Sequence, residues 1–251
     1  MDGAAPDRWS GIADAWSTLW GDFSEPARSA LIGAAGIGAG SRVLDVGCGS
    51  GEFVAQLAAL GADAAGIDPA PLMVEAARRM TPAADVRAGE AERLPWPDAS
   101  FDVVTAVNAL QFADDTMAAL AEFARVLVPG GRVAIANWAE GARNDLDVLE
   151  RAVAAADDDE PLPDGELRFE GGLEALLTDA GFALVASGIT ATPWSASSDD
   201  ELVHGVLLGE DDASMQRLAP VVLAAAVPFR LPSGGYRLEN HFRWAVARVR
   251  D

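Results

Sequence analysis

The sequence has no lysine, one cysteine and two histidines, and these shortages narrow the classes of protein to which it can belong. All 18 basic residues are arginines and 39 residues are acidic, so the net charge is −21. That charge opposes binding to nucleic acid or to an anionic membrane surface and favours neutral or cationic small-molecule substrates. The single cysteine, Cys48, excludes an internal disulfide and a cysteine-rich metal site, and it predicts a reducing, cytoplasmic environment.

Long apolar runs are also missing. No stretch of about 18 uninterrupted apolar residues occurs, so we expect no membrane span. The first ten residues include acidic side chains and no long apolar run, which does not match a signal peptide. Half of the 251 residues are hydrophobic, so the chain can bury a sizeable core and we expect one elaborated domain.

A glycine-rich turn follows the first predicted strand. Residues 43–53 read VLDVGCGSGEF, in which an apolar, β-branched run meets Gly-x-Gly-x-Gly and a helical pattern begins at once. The third glycine, Gly51, comes one residue earlier than in a dinucleotide fingerprint, and Asp45 stands just before the turn. A carboxylate there repels a pyrophosphate but accepts hydrogen bonds from an ammonium group. The pattern therefore favours a cationic, amino-acid-like nucleoside over NAD.

Strand and helix patterns alternate along the first half of the chain. Strands are predicted at 43–46, 63–68, 85–88, 101–107 and 132–138, which indicates a parallel sheet with helices on both faces. Asp68 ends the second strand, and an acid about 20 residues after a glycine turn holds ribose hydroxyls in such sheets. The pattern is looser beyond residue 139, where helices and two strands, 182–190 and 236–249, are predicted.

Four ordered motifs carry a family resemblance: VLDVGCGSG, GIDPAPLMVEAAR, GEAERLPWPDASFDVVTA and FARVLVPGGRVAIANW. Together they cover roughly residues 41–138 and resemble the class I S-adenosylmethionine-dependent methyltransferases, in particular those that act on quinones, sterols and other small molecules. The resemblance implies a doubly wound, seven-stranded, mostly parallel Rossmann-like sheet with an antiparallel last strand. We expect an N-terminal helical cap over 1–40 and a cofactor-binding domain over 41–251, with pocket insertions around 139–170 and 192–235.

The resemblance also implies a set of residues that bind S-adenosylmethionine. Asp45 and the glycine turn would hold the methionine end, Asp68 the ribose, and Glu90 with the Ala91 backbone the adenine. Asn108 would accept from the cofactor's amino group through its carbonyl. The full predicted set is Asp45, Gly47, Cys48, Gly49, Gly51, Asp68, Pro69, Met73, Gly89, Glu90, Ala91 and Asn108.

Catalytic residues are harder to predict, because methyl transfer from a sulfonium needs alignment more than a strong base. Relatives often place His where this chain has Gln111, which cannot act as a base near neutral pH. Of the two histidines, His204 and His241, we favour His241 because its strand begins at the cofactor side of the sheet. Our catalytic candidates are His241 and Gln111.

Aromatic residues are the candidates for the substrate site. Trp9, Trp16 and Trp20 share one face of a predicted helix, which either packs that helix on the domain or closes the active site with an apolar wall. Trp138 follows the fifth strand and so falls at the pocket, and Tyr236 either donates a hydrogen bond there or anchors its strand.

The motifs raise four possible functions. The first is methyl transfer from S-adenosylmethionine to an oxygen, nitrogen or carbon of a small, largely apolar molecule. The second keeps the cofactor but catalyses a reaction without methyl transfer, such as a cyclisation. The third is a non-catalytic cofactor-binding protein, against which the intact glycine turn and both acids argue. The fourth, a nicotinamide dehydrogenase, is disfavoured by the glycine spacing and by Asp45.

Overall fold

The computed structural model describes residues 6–160 and 163–250. Its main feature is a seven-stranded sheet with the spatial order β3-β2-β1-β4-β5-β9-β6. Strand β9 runs antiparallel to both of its neighbours, and the other six strands run parallel to one another. Helices cover both faces. The predicted doubly wound sheet with one antiparallel strand is therefore confirmed. The sheet strands are β1 Arg42–Val46, β2 Asp63–Asp68, β3 Asp85–Ala88, β4 Phe101–Val107, β5 Leu127–Trp138, β6 Ala183–Ala191 and β9 His241–Arg248.

The helices alternate with the strands over the first half of the chain and cluster in the second half. Short 3-10 turns at Leu110–Phe112, Gly141–Arg143, Glu166–Arg168 and Val227–Phe229 connect them. Among the described residues, no helix combines the length and apolarity that crossing a bilayer requires. The helices are α1 Pro6–Trp20, α2 Glu25–Ala35, α3 Glu52–Ala59, α4 Pro71–Met80, α5 Thr116–Val126, α6 Asp145–Ala156, α7 Gly172–Asp179, α8 Asp199–Val206 and α9 Asp212–Ala225.

The central strands are buried on both faces because helices cover each side of the sheet. Successive side chains of a strand point to opposite sides, so one strand contributes to both cores. In β1, Val43 packs into the core that contains α2 and α3, while Leu44 packs into the core that contains α5 and α7. Neighbouring Val103 and Val104 of β4 divide in the same way. Each fully buried apolar side chain of this kind contributes roughly 1.5–3 kcal/mol, so the two cores together hold the sheet in place.

The two N-terminal helices differ in where they pack. Helix α2 joins one of the helix layers on the sheet, since Ala27 and Leu31 are fully buried in the same core as Phe242 and Val246. Helix α1 instead lies against α4. The proposed boundary at residue 40 and the two insertions stay predictions, and residues 1–5 of the cap lie outside the described residues.

The single final strand predicted over 236–249 is wrong, because the chain breaks it in two. Strand β8, Tyr236–Leu238, pairs with β7, Trp194–Ala196, in a separate two-stranded sheet, and β9 starts at His241. Between them the buried Asn240 accepts a hydrogen bond from the Leu146 amide on its side chain and from the Thr192 amide on its carbonyl. These bonds turn the backbone out of the main sheet.

Candidate active site

A cavity of about 390 Å³ opens at the carboxyl ends of β1, β2, β3 and β4. Ligands of open α/β sheets bind at this edge, where the strand order reverses next to the first strand. Helix α1 and the 3-10 turn at Leu110–Phe112 supply the opposite wall. Among the described residues of the predicted insertions, 139–170 and 192–235, none lines this cavity.

The glycine turn forms the floor of the cavity. Gly47 and Gly49 line it and have φ angles of +71° and +53°, which favour glycine. A side chain on Gly47 would collide with the Cβ of Ala109. Gly51, with φ +98°, does not line the cavity. It begins α3, and a Cβ there would lie 2.7 Å from Ala77 of α4, so Gly51 permits close packing of two helices.

Asp68 lies at the end of β2 and lines the cavity with 8 % of its surface exposed. One carboxylate oxygen accepts from the Gly49 amide and the other from the Ala70 amide, both at 2.9 Å. Burial raises the pKa of Asp68, and these two amide bonds act against that rise. Each oxygen keeps a lone pair that can accept a ligand hydroxyl.

Asp45 is the most deeply buried acid of the site, with 3 % of its surface exposed. The Thr105 hydroxyl of β4 donates to its carboxylate at 2.6 Å. Burial raises the pKa of Asp45 to about 7, whereas the Thr105 bond and the Arg28 charge lower it. A cationic ligand beside Asp45 would favour the ionised form.

Arg28 lines the site although the sequence favours a surface arginine there over a contact with the cofactor carboxylate. It belongs to α2, lines the cavity and is only 4 % exposed. One guanidinium nitrogen donates to the Gly21 carbonyl at 3.1 Å and another lies 3.6 Å from Asp22, but the buried Nε has no partner. Burial lowers the pKa of Arg28, and the charge of Glu52 raises it. A buried guanidinium with an unused N–H is suited to a ligand anion.

The cavity brings together most of the other predicted residues. Asn108 follows β4 with φ +52°, and Gln111 donates to both its side-chain and backbone oxygens, at 2.8 and 3.1 Å. Glu90 follows β3 and is exposed. Further predicted residues on the lining are Cys48, Pro69, Met73, Gly89, Ala91, Trp9, Trp16 and Trp20.

Besides Gly51, four predicted residues do not line the cavity. Gln111 is exposed. The Trp138 ring stacks on Phe23, which does line the cavity, at 4.9 Å between centroids. Tyr236 donates to Asp199 at 2.8 Å from within the two-stranded sheet. His241 begins β9, and its ring nitrogen lies 2.9 Å from the Arg143 carbonyl. Their roles in catalysis or substrate binding stay predictions.

The tryptophans of α1 form a graded aromatic wall. Trp20 is buried, stacks on Trp194 at 4.6 Å and donates its indole N–H to the Gly205 carbonyl. Trp16 and Trp9 are half-buried and meet edge to face at 5.2 Å. Trp9 also meets Phe112, at 5.7 Å. Trp20 therefore packs the helix on the domain, and the Trp9 and Trp16 rings line the cavity, while contact of these rings with a substrate stays a prediction.

Glu52 and Phe112 also line the cavity, and no motif in the sequence indicated either of them. The Glu52 carboxylate accepts from Ser17 of α1 and from Ser50 of the glycine turn, each at 2.7 Å. The hydrogen bond from Ser17 to Glu52 connects α1 to the floor of the cavity. A contact between residues 35 positions apart has no local sequence signal.

Comparisons with known proteins agree with this geometry. Residues 44–135 match a family model described as "Methyltransferase domain". The chain is 34% identical to the malonyl-[acyl-carrier protein] O-methyltransferase of Serratia marcescens over 57% of this chain and 54% of that protein. It is 40% identical to the demethylmenaquinone methyltransferase of Beutenbergia cavernae over 44% of this chain and 46% of that protein. The chain thus spans about half the length of these curated relatives.

A solved structure extends the likeness to nearly the whole chain. A SAM-dependent methyltransferase of Thermotoga maritima superposes with a TM-score of 0.58, covering 97% of this chain and 99% of that chain at 18% identity. At that identity the likeness concerns the fold alone. Taken with the family match and the cavity at the strand ends, it leads to one conclusion: residues 44–135 are similar to a methyltransferase domain, and the whole chain has a fold that S-adenosylmethionine-dependent methyltransferases share.

Proposed function

We propose that this protein transfers a methyl group from S-adenosylmethionine to an oxygen, nitrogen or carbon of a small, largely apolar molecule. The observation that carries the proposal is the charge pattern of one cavity. Two buried carboxylates, Asp45 and Asp68, and one buried guanidinium, Arg28, line it around a glycine turn. S-adenosylmethionine presents an ammonium group, ribose hydroxyls and a carboxylate, and each has a complementary partner in that set.

The residues present fit the cofactor group by group. In this proposal Asp68 accepts the ribose hydroxyls on the lone pairs that its amide bonds leave free. Asp45 accepts from the ammonium group, and the unpartnered Nε of Arg28 donates to the carboxylate. Glu90 and Ala91, at the end of β3, accommodate the adenine, and the Asn108 carbonyl shares the ammonium group. Gly47 and Gly49 have no side chain, so the backbone of the turn can approach the cofactor closely.

The chemistry asks little of the protein beyond positioning. When bound, the cofactor supplies a methyl group activated by a positive sulfur. The cavity walls hold the acceptor in line with that carbon and exclude water, which supplies most of the rate enhancement expected for such a transfer. Trp9, Trp16 and Phe112 provide the apolar wall against which a planar acceptor can lie. Aromatic faces also stabilise the sulfonium.

The proposal extends to partners and compartment. The aromatic wall suits a small, flat acceptor such as the demethylmenaquinone named for one relative better than the malonyl group named for the other. The charge of −21 supports a small-molecule substrate over nucleic acid. The free, buried thiol of Cys48 supports a reducing cytoplasm.

The two ends of strand β2 supply a matched test. We expect Asp68→Ala to weaken S-adenosylmethionine binding at least tenfold in calorimetry, because both ribose-accepting oxygens disappear. The control is Asp63→Ala, at the exposed opposite end of the same strand, which should bind like the parent. Equal affinity of the Asp68 variant and the parent would refute the site.

A label on the methyl group of the cofactor distinguishes methyl transfer from a reaction in which the bound cofactor keeps its methyl group. With methyl-labelled S-adenosylmethionine and a panel of flat acceptors, we expect label in the product. Conversion of an acceptor without incorporation of label would instead support the non-methylating alternative. Tight cofactor binding without any conversion would support a binding protein.

A further inference from the structure

The titratable groups on the cavity lining are almost all of one sign. Among the described residues that line it there are six carboxylates, one guanidinium and one thiol, and no histidine or tyrosine. Burial raises the pKa of that thiol, Cys48, well above its usual range, so it stays protonated. His204 lies on α8 and His241 at the start of β9, and neither belongs to the lining.

Four of these titratable groups already have other partners. On the proposed function, on which this inference rests, Asp45, Asp68 and Arg28 hold the cofactor. Glu52 accepts two serine hydroxyls. Beyond Arg28, the described part of the lining therefore offers no cation to hold an anionic acceptor and no strong base to create one, since carboxylates take protons poorly from alcohols.

The direction of charge movement then selects the acceptor. During methyl transfer the positive charge leaves the sulfur. If the acceptor is an oxyanion, its negative charge disappears during the transfer. A surrounding cation then stabilises the acceptor before the methyl group is transferred. If the acceptor is neutral, it becomes positive, and nearby carboxylates and aromatic faces stabilise that change most in the transition state. A wall of Trp9, Trp16 and Phe112 with Glu92 and Asp114 on the same lining matches the second case.

We infer that the acceptor is a planar aromatic molecule with a neutral nitrogen, either a ring nitrogen or an arylamine. Such a nitrogen keeps its lone pair at neutral pH and needs no base. The lone pair forms the new N–C bond while the S–C bond breaks and its electron pair returns to sulfur. A ring nitrogen remains as a cation, and an arylammonium loses its proton to water.

Three acceptors of one bicyclic shape test the inference: isoquinoline, 2-naphthol and 2-naphthoate. Each is offered to the full chain with methyl-labelled S-adenosylmethionine at neutral pH. We expect isoquinoline to be labelled at least about tenfold faster than 2-naphthol and 2-naphthoate to remain unlabelled. Equal or faster labelling of either oxygen acceptor would overturn the inference.

Binding of product-like ligands decides the matter if labelling is too slow to measure. With the protein saturated in S-adenosylhomocysteine, tryptophan fluorescence reports binding of N-methylisoquinolinium and of the neutral 2-methoxynaphthalene. We expect the cation to bind about tenfold more tightly. A neutral ligand that binds equally well or better would contradict the inference.

Variants that remove charge test whether Glu92 and Asp114 cause the preference for the cationic ligand. The double variant Glu92→Gln, Asp114→Asn should lose about fivefold in affinity for the cation and leave the neutral ligand unchanged. Asp179→Asn, at the exposed end of α7, is the control and should change neither. Calorimetry of the cofactor keeps the two proposals apart. Lost cofactor binding in the parent chain would refute the proposed function, whereas intact binding with a reversed acceptor order would refute only this inference.

Discussion

Asp45 is deeply buried, yet the proposed contact with the ammonium group of the cofactor needs its carboxylate to be charged. In the free protein, burial raises the pKa of Asp45 to about 7, far above the ordinary value of 3.8. The fold therefore favours the protonated acid, and the contribution of Asp45 to stability is largest below its ordinary pKa and is lost as the pH rises toward 7. An ammonium group beside the carboxylate reverses that preference, so cofactor binding and ionisation of Asp45 are linked.

Cofactor affinity should consequently depend on pH. Between about pH 5 and 7 we expect the affinity for S-adenosylmethionine to rise by up to tenfold per pH unit and to level off above about pH 7. Calorimetry at pH 6 in two buffers of different ionisation enthalpy should detect proton release on binding. Asp45→Asn, which keeps the Thr105 contact, should bind weakly and without most of this pH dependence. A flat affinity profile in the parent chain would refute the linkage.

Local patterns made Asp45 and Asp68 predictable, whereas Arg28 needed the folded chain. Both acids lie at strand ends beside glycines, so the patterns that indicate the strand, the turn and the acid all fall within a few residues of the sequence. Arg28 looks like an ordinary surface arginine on a short helix. Its burial arises because α2 packs into the sheet layer and the Gly21 carbonyl meets its guanidinium. A sequence window cannot show which face of α2 meets the cavity.

Helix α1 places one stripe of tryptophans in two different environments. At its carboxyl end Trp20 is fixed by stacking on Trp194 and by the Gly205 carbonyl. Toward its amino end Trp9 and Trp16 stay half-buried on the cavity wall. The helix is thus anchored at one end while its other end carries rings that an acceptor can touch.

A pair of alanine variants can separate anchoring from substrate contact. We expect Trp20→Ala to lower the free energy of unfolding by about 3–5 kcal/mol, since a buried ring leaves a cavity and a hydrogen bond is lost. Trp9→Ala should cost less than about 2 kcal/mol but should raise the KM for the acceptor, with cofactor affinity kept. Denaturant unfolding and steady-state kinetics supply the two readouts. Equal loss of stability in both variants would mean that the whole stripe only packs the helix.

Element boundaries followed the sequence wherever local propensity sets them. Strands 63–68, 85–88 and 101–107 have the predicted limits because turns and apolar runs mark both ends. The break between β8 and β9 was not predictable in this way. Glu239 and Asn240 leave the strand because Asp145 and Leu146, 94 residues earlier in the chain, bind them. That preference exists only once α6 is in place.

The excess of 21 acidic over basic residues acts on the molecule as a whole. Like charges repel one another across the surface, which destabilises the compact state. Many of the described ion pairs, such as Arg42 with Asp102 and Arg87 with Asp85, are partly exposed, and exposed pairs contribute little. The pair of Arg243 with Glu140 is more buried. Screening should therefore relieve more repulsion than it removes attraction.

Added salt should stabilise this protein. Raising NaCl from about 0.01 to 0.3 M shortens the screening length from roughly 30 Å to below 8 Å, so we expect the Tm to rise by several degrees. Choline chloride at the same ionic strength is the control, because a general screening effect does not depend on which cation is present. A Tm that falls with salt would mean that the arginine–carboxylate pairs outweigh the repulsion. A rise with sodium alone would indicate a specific cation site instead.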